Sequence, residues 1–256
     1  MMYLGIDIGS TTSKCALIDE GGELLALSLV VGGIGTGGPE EALAQAMEKA
    51  GVKREQILAI AATGYGRASW GDADYQVSEL TCHGIGGRYV FPELRTLIDI
   101  GGQDAKVVAL NEDGMMSEFL MNDKCAAGTG RFLEVMANTL GLRPEELCQL
   151  AASGGGISIS SMCTVFAESE VISLIGRGEA KENIAYAVVD SIVKKVASQA
   201  GRLTLGKTVC LTGGLCEFDY LCESLGKKLN VKVNTDPDGR YAGAIGAALS
   251  AMNIRK

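Results

Sequence analysis

Ile6-Asp7-Ile8-Gly9-Ser10-Thr11-Thr12-Ser13-Lys14 returns as Ile98-Asp99-Ile100-Gly101-Gly102-Gln103-Asp104-Ala105-Lys106, about 92 residues further along the chain. Each copy reads as a buried apolar strand ending in Asp, then a glycine turn bearing hydroxyl or amide side chains, then a second strand (Cys15 to Asp19; Val107 to Leu110). Two such hairpins imply two related half-domains facing each other. Backbone N–H groups of glycine turns form anion-binding concavities. A carboxylate beside a phosphate can hold Mg²⁺, directly or through water. The cargo that suits such a clamp is a nucleoside triphosphate.

The composition narrows the class. At 256 residues, 47% apolar with 35 glycines, the chain suits a globular α/β protein with many tight turns. A net charge of −8 argues against nucleic acid as a partner. The N-terminus runs from Met1-Met2 straight into a strand with no basic leader. No apolar run approaches the roughly 20 residues that span a bilayer, so the reading is cytoplasmic with no membrane partner. Eight cysteines in that compartment point to metal, redox or core use rather than a disulfide framework. His83 is the one histidine, which leaves a His-dependent triad a single candidate.

Patterning predicts strands near 3–8, 13–19, 23–31, 57–62, 95–100, 105–111, 115–120 and 207–212. It predicts helices near 39–50, 78–89, 130–140, 144–152, 164–176, 181–204 and 240–253. Hairpins alternating with helices imply mixed sheets. The expected lobes are 1–94, joined by the C-terminal segment 240–256, and 95–239.

Two familiar patterns do not fit their surroundings. Gly201-Arg-Leu-Thr-Leu-Gly-Lys207-Thr208 matches a P-loop by letter, but a helix precedes it and a strand follows, the reverse of what phosphate binding needs. It reads as a helix-to-strand turn capped by Gly206. Gly33-Ile-Gly35-Thr-Gly-Gly38 matches a dinucleotide fingerprint, but its strand is third in a meander, so it reads as a glycine-rich surface loop.

The cysteines divide. Cys125, in Asn122-Asp-Lys-Cys-Ala-Ala-Gly-Thr-Gly130, and Cys163, in Ser161-Met-Cys-Thr-Val-Phe-Ala-Glu-Ser-Glu170, each stand at the start of a predicted helix. That setting stabilises a thiolate or an anionic cluster. A [4Fe–4S] cluster needs four thiolates, and two per chain suffice if a twofold axis passes through it. On spacing alone, with no CxxC pattern, two buried small hydrophobes are the stronger alternative. Cys15 and Cys210 read as core, and Cys148 as a helix face with Leu147 and Leu150. Cys216 and Cys222 need not meet. Cys82-His83 reads as a packing site or a pair of ligands.

Three segments carry a family resemblance: Ile98–Lys106, Asn122-Asp-Lys-Cys-Ala-Ala-Gly-Thr-Gly-Arg-Phe-Leu-Glu134 and Met162-Cys-Thr-Val-Phe-Ala-Glu-Ser-Glu170. They resemble the ATP-dependent activators of 2-hydroxyacyl-CoA dehydratases, BadF/BadG/BcrA/BcrD-type ATPases of the actin/hexokinase/Hsp70 fold. Thr63-Gly-Tyr-Gly-Arg67, Thr212-Gly-Gly214 and Ala242-Gly-Ala-Ile-Gly-Ala247 extend the likeness over nearly the whole chain. The resemblance implies an α/β fold of two related lobes, each a mixed sheet flanked by helices. It implies phosphate contacts at Ser10, Thr11 and Thr12 and at Gly101 and Gly102, with Asp7 and Asp99 near Mg²⁺. Gln103 or Asp104 would orient the hydrolytic water. Gly128, Thr129 and Gly130 would touch nucleotide, and Gly213, Gly214 and Gly243 would lie on the adenosine side. Cys125 and Cys163 would ligate one [4Fe–4S] cluster shared by a homodimer. The implied partners are an electron donor such as ferredoxin or flavodoxin, and a dehydratase or benzoyl-CoA-type reductase carrying its own iron–sulfur cluster. The roles of Lys14 and Lys106 (solvent or phosphate) and of Glu168 and Glu170 (solvated face or function) stay open. The competing readings are a small-molecule kinase of the same fold, which has little room here for a substrate-binding insertion, and a nucleotide-switched binding module without catalysis.

Overall fold

The structure, a computed structural model, describes residues 1–160 and 163–255. Ser161 and Met162 of the second cysteine motif, and Lys256 at the end of the expected C-terminal segment, lie outside the described residues. The chain divides into two compact units. One comprises Met1–Leu94, Leu110–Met116 and Asp238–Lys256, the other Arg95–Ala109 and Ser117–Pro237.

The first unit is built on a five-stranded sheet: β1 (Met2–Ile8), β2 (Thr12–Asp19), β3 (Leu24–Val31), β4 (Ile57–Thr63) and β5 (Tyr75–Gln76), in the order β3-β2-β1-β4-β5. β1 runs antiparallel to β2 and parallel to β4, so the sheet is mixed. Side chains alternate across β1. Leu4, Ile6 and Ile8 enter the core beneath α1 (Gly38–Ala50), whereas Tyr3 enters the opposite core with the C-terminal helix. By the same parity Asp7 faces the C-terminal helix.

That opposite face is covered by α2 (Glu79–Val90) and the C-terminal helix, whose backbones touch. A Cβ on Gly86 would sit 1.9 Å from Ala242 O, and one on Gly246 would sit 1.9 Å from Cys82 O, so no side chain fits at this crossing.

The second unit repeats the plan. Its strands are β6 (Thr96–Ile100), β7 (Ala105–Leu110), β8 (Met116–Asn122), β9 (Val209–Gly213) and β10 (Val233–Asn234), in the order β10-β9-β6-β7-β8. β6 runs antiparallel to β7 and parallel to β9. Counting β6 as the first strand, the strand order matches that of the first unit, as do the directions of β6, β7, β9 and β10. The duplication read from two nonapeptides thus extends to whole sheets. Ile98, Ile100 and Leu211 pack beneath α3 (Gly130–Leu140), α4 (Pro144–Ala151), α5 (Thr164–Gly176), α6 (Lys181–Ala200) and α7 (Asp219–Leu229). The C-terminal helix, α8 (Ala242–Arg255), returns to the first unit.

Three expectations of local structure change. α6 stops at Ala200, not 204, with Gly201 in the cap position. Gly206 is therefore not that helix's cap: a Cβ there would meet Arg95 Cβ at 2.3 Å, so close packing explains this glycine. α7 was not expected. Gly226 inside it and Lys227-Lys228 beside it blur its pattern, although Leu221, Cys222 and Leu225 form a buried stripe and Asn230 (φ 55°) closes it in the left-handed region. The two-residue strands β5 and β10 are too short to leave a period.

Candidate functional site

The Asp-ended strands hold their carboxylates by the same device in both units. In the first, Asp7 lies directly across from Lys14 in the β1–β2 pairing and beside Thr63 in the β1–β4 pairing. In the second, Asp99 lies across from Lys106 and beside Thr212. Each threonine is followed by a glycine in the left-handed region, Gly64 (φ 82°) and Gly213 (φ 84°). A Cβ on Gly64 would lie 2.4 Å from Asp7 Oδ1, and one on Gly213 would lie 2.3 Å from Ile100 O. The Thr-Gly pair beside each Asp therefore lets two strands converge on a buried carboxylate. The sequence carried this second repeat in plain view, in Thr63-Gly64 and Thr212-Gly213, but it is too short to notice without the register.

The surroundings of the two carboxylates differ. Asp7 is 5% exposed, and its Oδ2 stands 3.9 Å from Lys14 Nζ. A Cβ on Gly243 would lie 2.8 Å from Asp7 Oδ2 and 3.0 Å from His83 Cε1. Gly243 thus packs against the Asp7 carboxylate and the imidazole. His83 Nδ1 is 2.9 Å from Glu79 O, and because a carbonyl only accepts, Nδ1 carries the hydrogen. Burial pushes the neighbouring Cys82 thiol up to about 12.

Asp99 accepts from Thr212 Oγ1 at 2.8 Å through Oδ1 and from Lys106 Nζ at 3.3 Å through Oδ2. Lys106 Nζ also lies 2.6 Å from Asp104 Oδ2. Lys106 is 1% exposed, so it points neither to solvent nor freely at a phosphate. Asp104, expected beside Gln103 at the hydrolytic position, is buried and folded back over Gly101, where a Cβ would meet its Oδ1. Gln103 is exposed at the turn, and Thr11 is exposed at the equivalent place in the first hairpin. Of the two candidates for orienting water, Gln103 is thus the one presented outward.

Both turns are braced by glycine loops. In the first, Gly32 N–H donates to Thr11 O and Ile34 N–H donates to Gly9 O. A Cβ on Gly33 would clash with Gly9 O at 2.3 Å. Gly33 of the dinucleotide-like pattern is therefore part of the seat of the first hairpin. In the second, Gly130 N–H donates to Gly101 O and Arg131 N–H to Gly102 O. Thr129 is fully buried and donates its hydroxyl to Ala126 O at 2.6 Å, while Gly128 (φ 82°) packs on the Lys195 stem. The Gly128–Gly130 turn secures the hairpin with these donors. Ser10, Thr12, Gly101 and Gly102 are partly exposed in the turns, and Gly214 is partly exposed after β9.

Carboxylate oxygens beside glycine turns suit a hard cation. Asp99 has both oxygens engaged, which fits contact with Mg²⁺ through a bound water.

Cys125 and Cys163 are the two exposed cysteines; the other six are buried. Burial pushes Cys148, Cys210 and Cys222 up to about 12, and Cys15 further still, so those thiols stay protonated and inert. Cys163 is the residue immediately before α5. Cys125 is five residues ahead of α3, which begins at Gly130 as predicted. It sits in a turn shaped by Asn122, whose Nδ2 donates to Cys125 O at 2.9 Å and Ala127 O at 3.2 Å.

α3 and α5 pack together. Thr139 Oγ1 of α3 donates to Glu168 of α5 at 3.2 Å, and Glu170 accepts from Ser160 N–H and Oγ, both at 3.1 Å. Glu168 and Glu170 thus tie down the start of the Cys163 helix. Two exposed thiols fit half the ligand set of a four-thiolate cluster. Among the described residues no three His, Cys, Asp or Glu side chains converge as a metal-binding group. No helix among them is long and apolar enough to cross a membrane.

Comparison with known proteins fits this arrangement. The model of the BadF/BadG/BcrA/BcrD ATPase family matches residues 4–251. The chain belongs to that family. It is 47% identical over 250 residues to the (R)-2-hydroxyglutaryl-CoA dehydratase activating ATPase of Acidaminococcus fermentans, covering 97% of this chain and 96% of that one. The solved activator of the 2-hydroxyisocaproyl-CoA dehydratase from Clostridium difficile, with bound ADPNP, superposes with a TM-score of 0.95 at 42% identity, covering 99% and 95% of the two chains. A ROK family glucokinase from Streptomyces griseus, at 15% identity and a TM-score of 0.60 over 99% and 100% of the chains, shares the actin/hexokinase-like fold. The family expected from the cysteine and hairpin motifs is thus the family found.

Proposed function

We propose that this chain hydrolyses ATP to drive one electron at a time onto a partner dehydratase of the 2-hydroxyacyl-CoA type or a related acyl-CoA reductase. The observation that carries this reading is the segregation of the cysteines. Two of eight are exposed, both in the second unit, on segments joined by the α3–α5 packing. A kinase or a bare nucleotide switch has no use for that pair.

In this reading Cys125 and Cys163 of two copies ligate one [4Fe–4S] cluster, and α5 supplies the contact between copies. α5 buries only Ala167 and Val171, while Val165, Phe166, Ile172 and Ile175 are exposed. A helix apolar on both faces needs cover from another body. Cys125 and Cys163 would hold the cluster, which would supply one-electron transfer between a donor such as ferredoxin or flavodoxin and the iron–sulfur centre of the partner, and Asp7 and Asp99 would hold Mg²⁺, which would offset the phosphate charge.

The remaining roles belong to the chain. Ser10, Thr11 and Thr12 contact phosphate from the first hairpin, and Gly101 and Gly102 from the second. Asp7 and Asp99 orient the metal's water shell. Gln103 orients the water that attacks the γ-phosphorus, giving ADP and phosphate. Gly213 and Gly214 line the nucleoside side, and the Gly128–Gly130 turn fixes the second hairpin. Nucleotide shifts the conformational equilibrium only by its differential affinity for the two states.

The test mixes anaerobic, pre-reduced protein with a 2-hydroxyacyl-CoA dehydratase and Mg-ATP. Dehydration activity should appear with ATP and not with ADPNP. Lack of activation together with stoichiometric phosphorylation of a small-molecule hydroxyl would replace this reading with a kinase.

A further inference from the structure

The buried charges of the second hairpin exceed what a phosphate-and-metal site alone requires. Asp99, Asp104 and Lys106 are 2%, 6% and 1% exposed, and Lys106 is among the largest fully buried side chains of the chain. Two carboxylates this close and this buried repel each other unless a cation lies between them. Here the cation is covalent. Lys106 Nζ reaches Asp104 at 2.6 Å and Asp99 at 3.3 Å.

The first hairpin is the internal control. Asp7 and Lys14 occupy the same cross-strand positions, but Thr12 stands where the second hairpin has Asp104. With one carboxylate the pair is looser, at 3.9 Å, and the lysine side chain is 14% exposed against 1% for Lys106. The second carboxylate is thus what draws the lysine inward. Gly101 makes this possible, because a Cβ there would occupy the position of Asp104 Oδ1.

We propose that Lys106 is a positioning residue, a built-in counter-cation that holds Asp99 and Asp104 in place before any divalent ion arrives. Asp104 is accordingly an anchor for the lysine rather than the residue that activates water. The arrangement gives the hairpin its working shape in the absence of nucleotide, and it spares the fold from needing Mg²⁺ for its own stability. The idea bears on the site of the proposed ATPase activity, but its test needs neither nucleotide nor a partner protein, so the two readings fail separately.

The test is thermal unfolding of nucleotide-free protein with and without millimolar Mg²⁺. The wild-type midpoint should not move with Mg²⁺. Lys106→Met leaves two buried carboxylates facing each other; its midpoint should fall by about 10 °C and rise again when Mg²⁺ is added. Lys106→Arg should stay within a few degrees of wild type, because it keeps the charge. The double variant Lys106→Met/Asp104→Asn removes one charge of each sign, and it should recover most of the loss without Mg²⁺. If Lys106→Met is too unstable to purify, the double variant still decides the matter. A single variant as stable as wild type would overturn the proposal. So would a double variant no better than the single one, or a loss indifferent to Mg²⁺, since packing rather than charge would then be at work.

Discussion

Replacing Gly243 by alanine separates the site from the fold. The added Cβ would lie 2.8 Å from Asp7 Oδ2 and 3.0 Å from His83 Cε1, where ordinary contact begins at 3.4 Å. Something must yield by about 0.6 Å, the difference between 3.4 and 2.8 Å. Backing the start of α8 away would break its closest packing, where the carbonyls of Ala242 and Ala244 stand 1.9 and 2.0 Å from the Cβ positions that Gly86 and Gly5 lack. The imidazole is pinned by its bond to Glu79 O. The carboxylate therefore moves. A displacement approaching 1 Å in an orienting group costs up to about 100-fold in rate, and the overpacking costs about 1–3 kcal/mol of stability. Phosphate release by Gly243→Ala should fall roughly 10- to 100-fold, with a weaker response to Mg²⁺ and a folded circular-dichroism spectrum. Gly246→Ala, whose Cβ meets Cys82 O at 1.9 Å, should instead unfold the first unit. A Gly243→Ala protein within twofold of wild-type turnover and Mg²⁺ dependence would refute the placement of Asp7 in the reaction.

Other expectations follow from single residues. A Cβ on Gly214 meets nothing within 4 Å, so Gly214→Ala should keep its melting temperature yet lose ATP affinity in calorimetry if nucleotide lies there; unchanged affinity would remove Gly214 from the site. Phe166 is 68% exposed on α5, so Phe166→Asp should leave unfolding unchanged and turn a dimer into a monomer in light scattering; a variant that remains dimeric would move the interface elsewhere. Native protein without iron should react with a thiol reagent at Cys125 and Cys163 alone at pH 8. The buried Cys82, Cys148, Cys210 and Cys222 lose their protons near 9.0 when unfolded but only at about 12 when folded. The folded state thus holds more protons between those values, so stability is intact below pH 9 and falls towards pH 12, by at most about 1.4 kcal/mol per pH unit for each thiol. A denaturation midpoint unchanged between pH 8 and pH 10.5 would contradict this.

Much of the molecule was legible because it is written twice. The repeated Ile-Asp-Ile-Gly phrase marked both hairpins, and strands that alternate or run apolar set the sheets. Short elements were not legible: β5 and β10 have no period, and Gly226 hid α7. The side-chain roles at Asp104, Lys106 and Gly243 were also hidden, because strand register and helix crossing fix them rather than local pattern. Asp104 looked like a turn residue available to water until Lys106 placed its ammonium beneath it. The contact of Gly243 with Asp7 was invisible in its own segment, because the crossing of α8 sets it. The glycine fingerprint at 33–38 reads as a loop rather than a dinucleotide site, but the contact of Gly33 with Gly9 and Ser10 of the first hairpin was not legible in it.

The most direct test of the account is the iron and acid-labile sulfide content of anaerobically purified protein, together with its mass in solution. The account predicts about four irons and four sulfides per dimer, lost together in Cys125→Ser and in Cys163→Ser while ATP still binds. Iron-free protein after anaerobic reconstitution, or full iron in either variant, would contradict it.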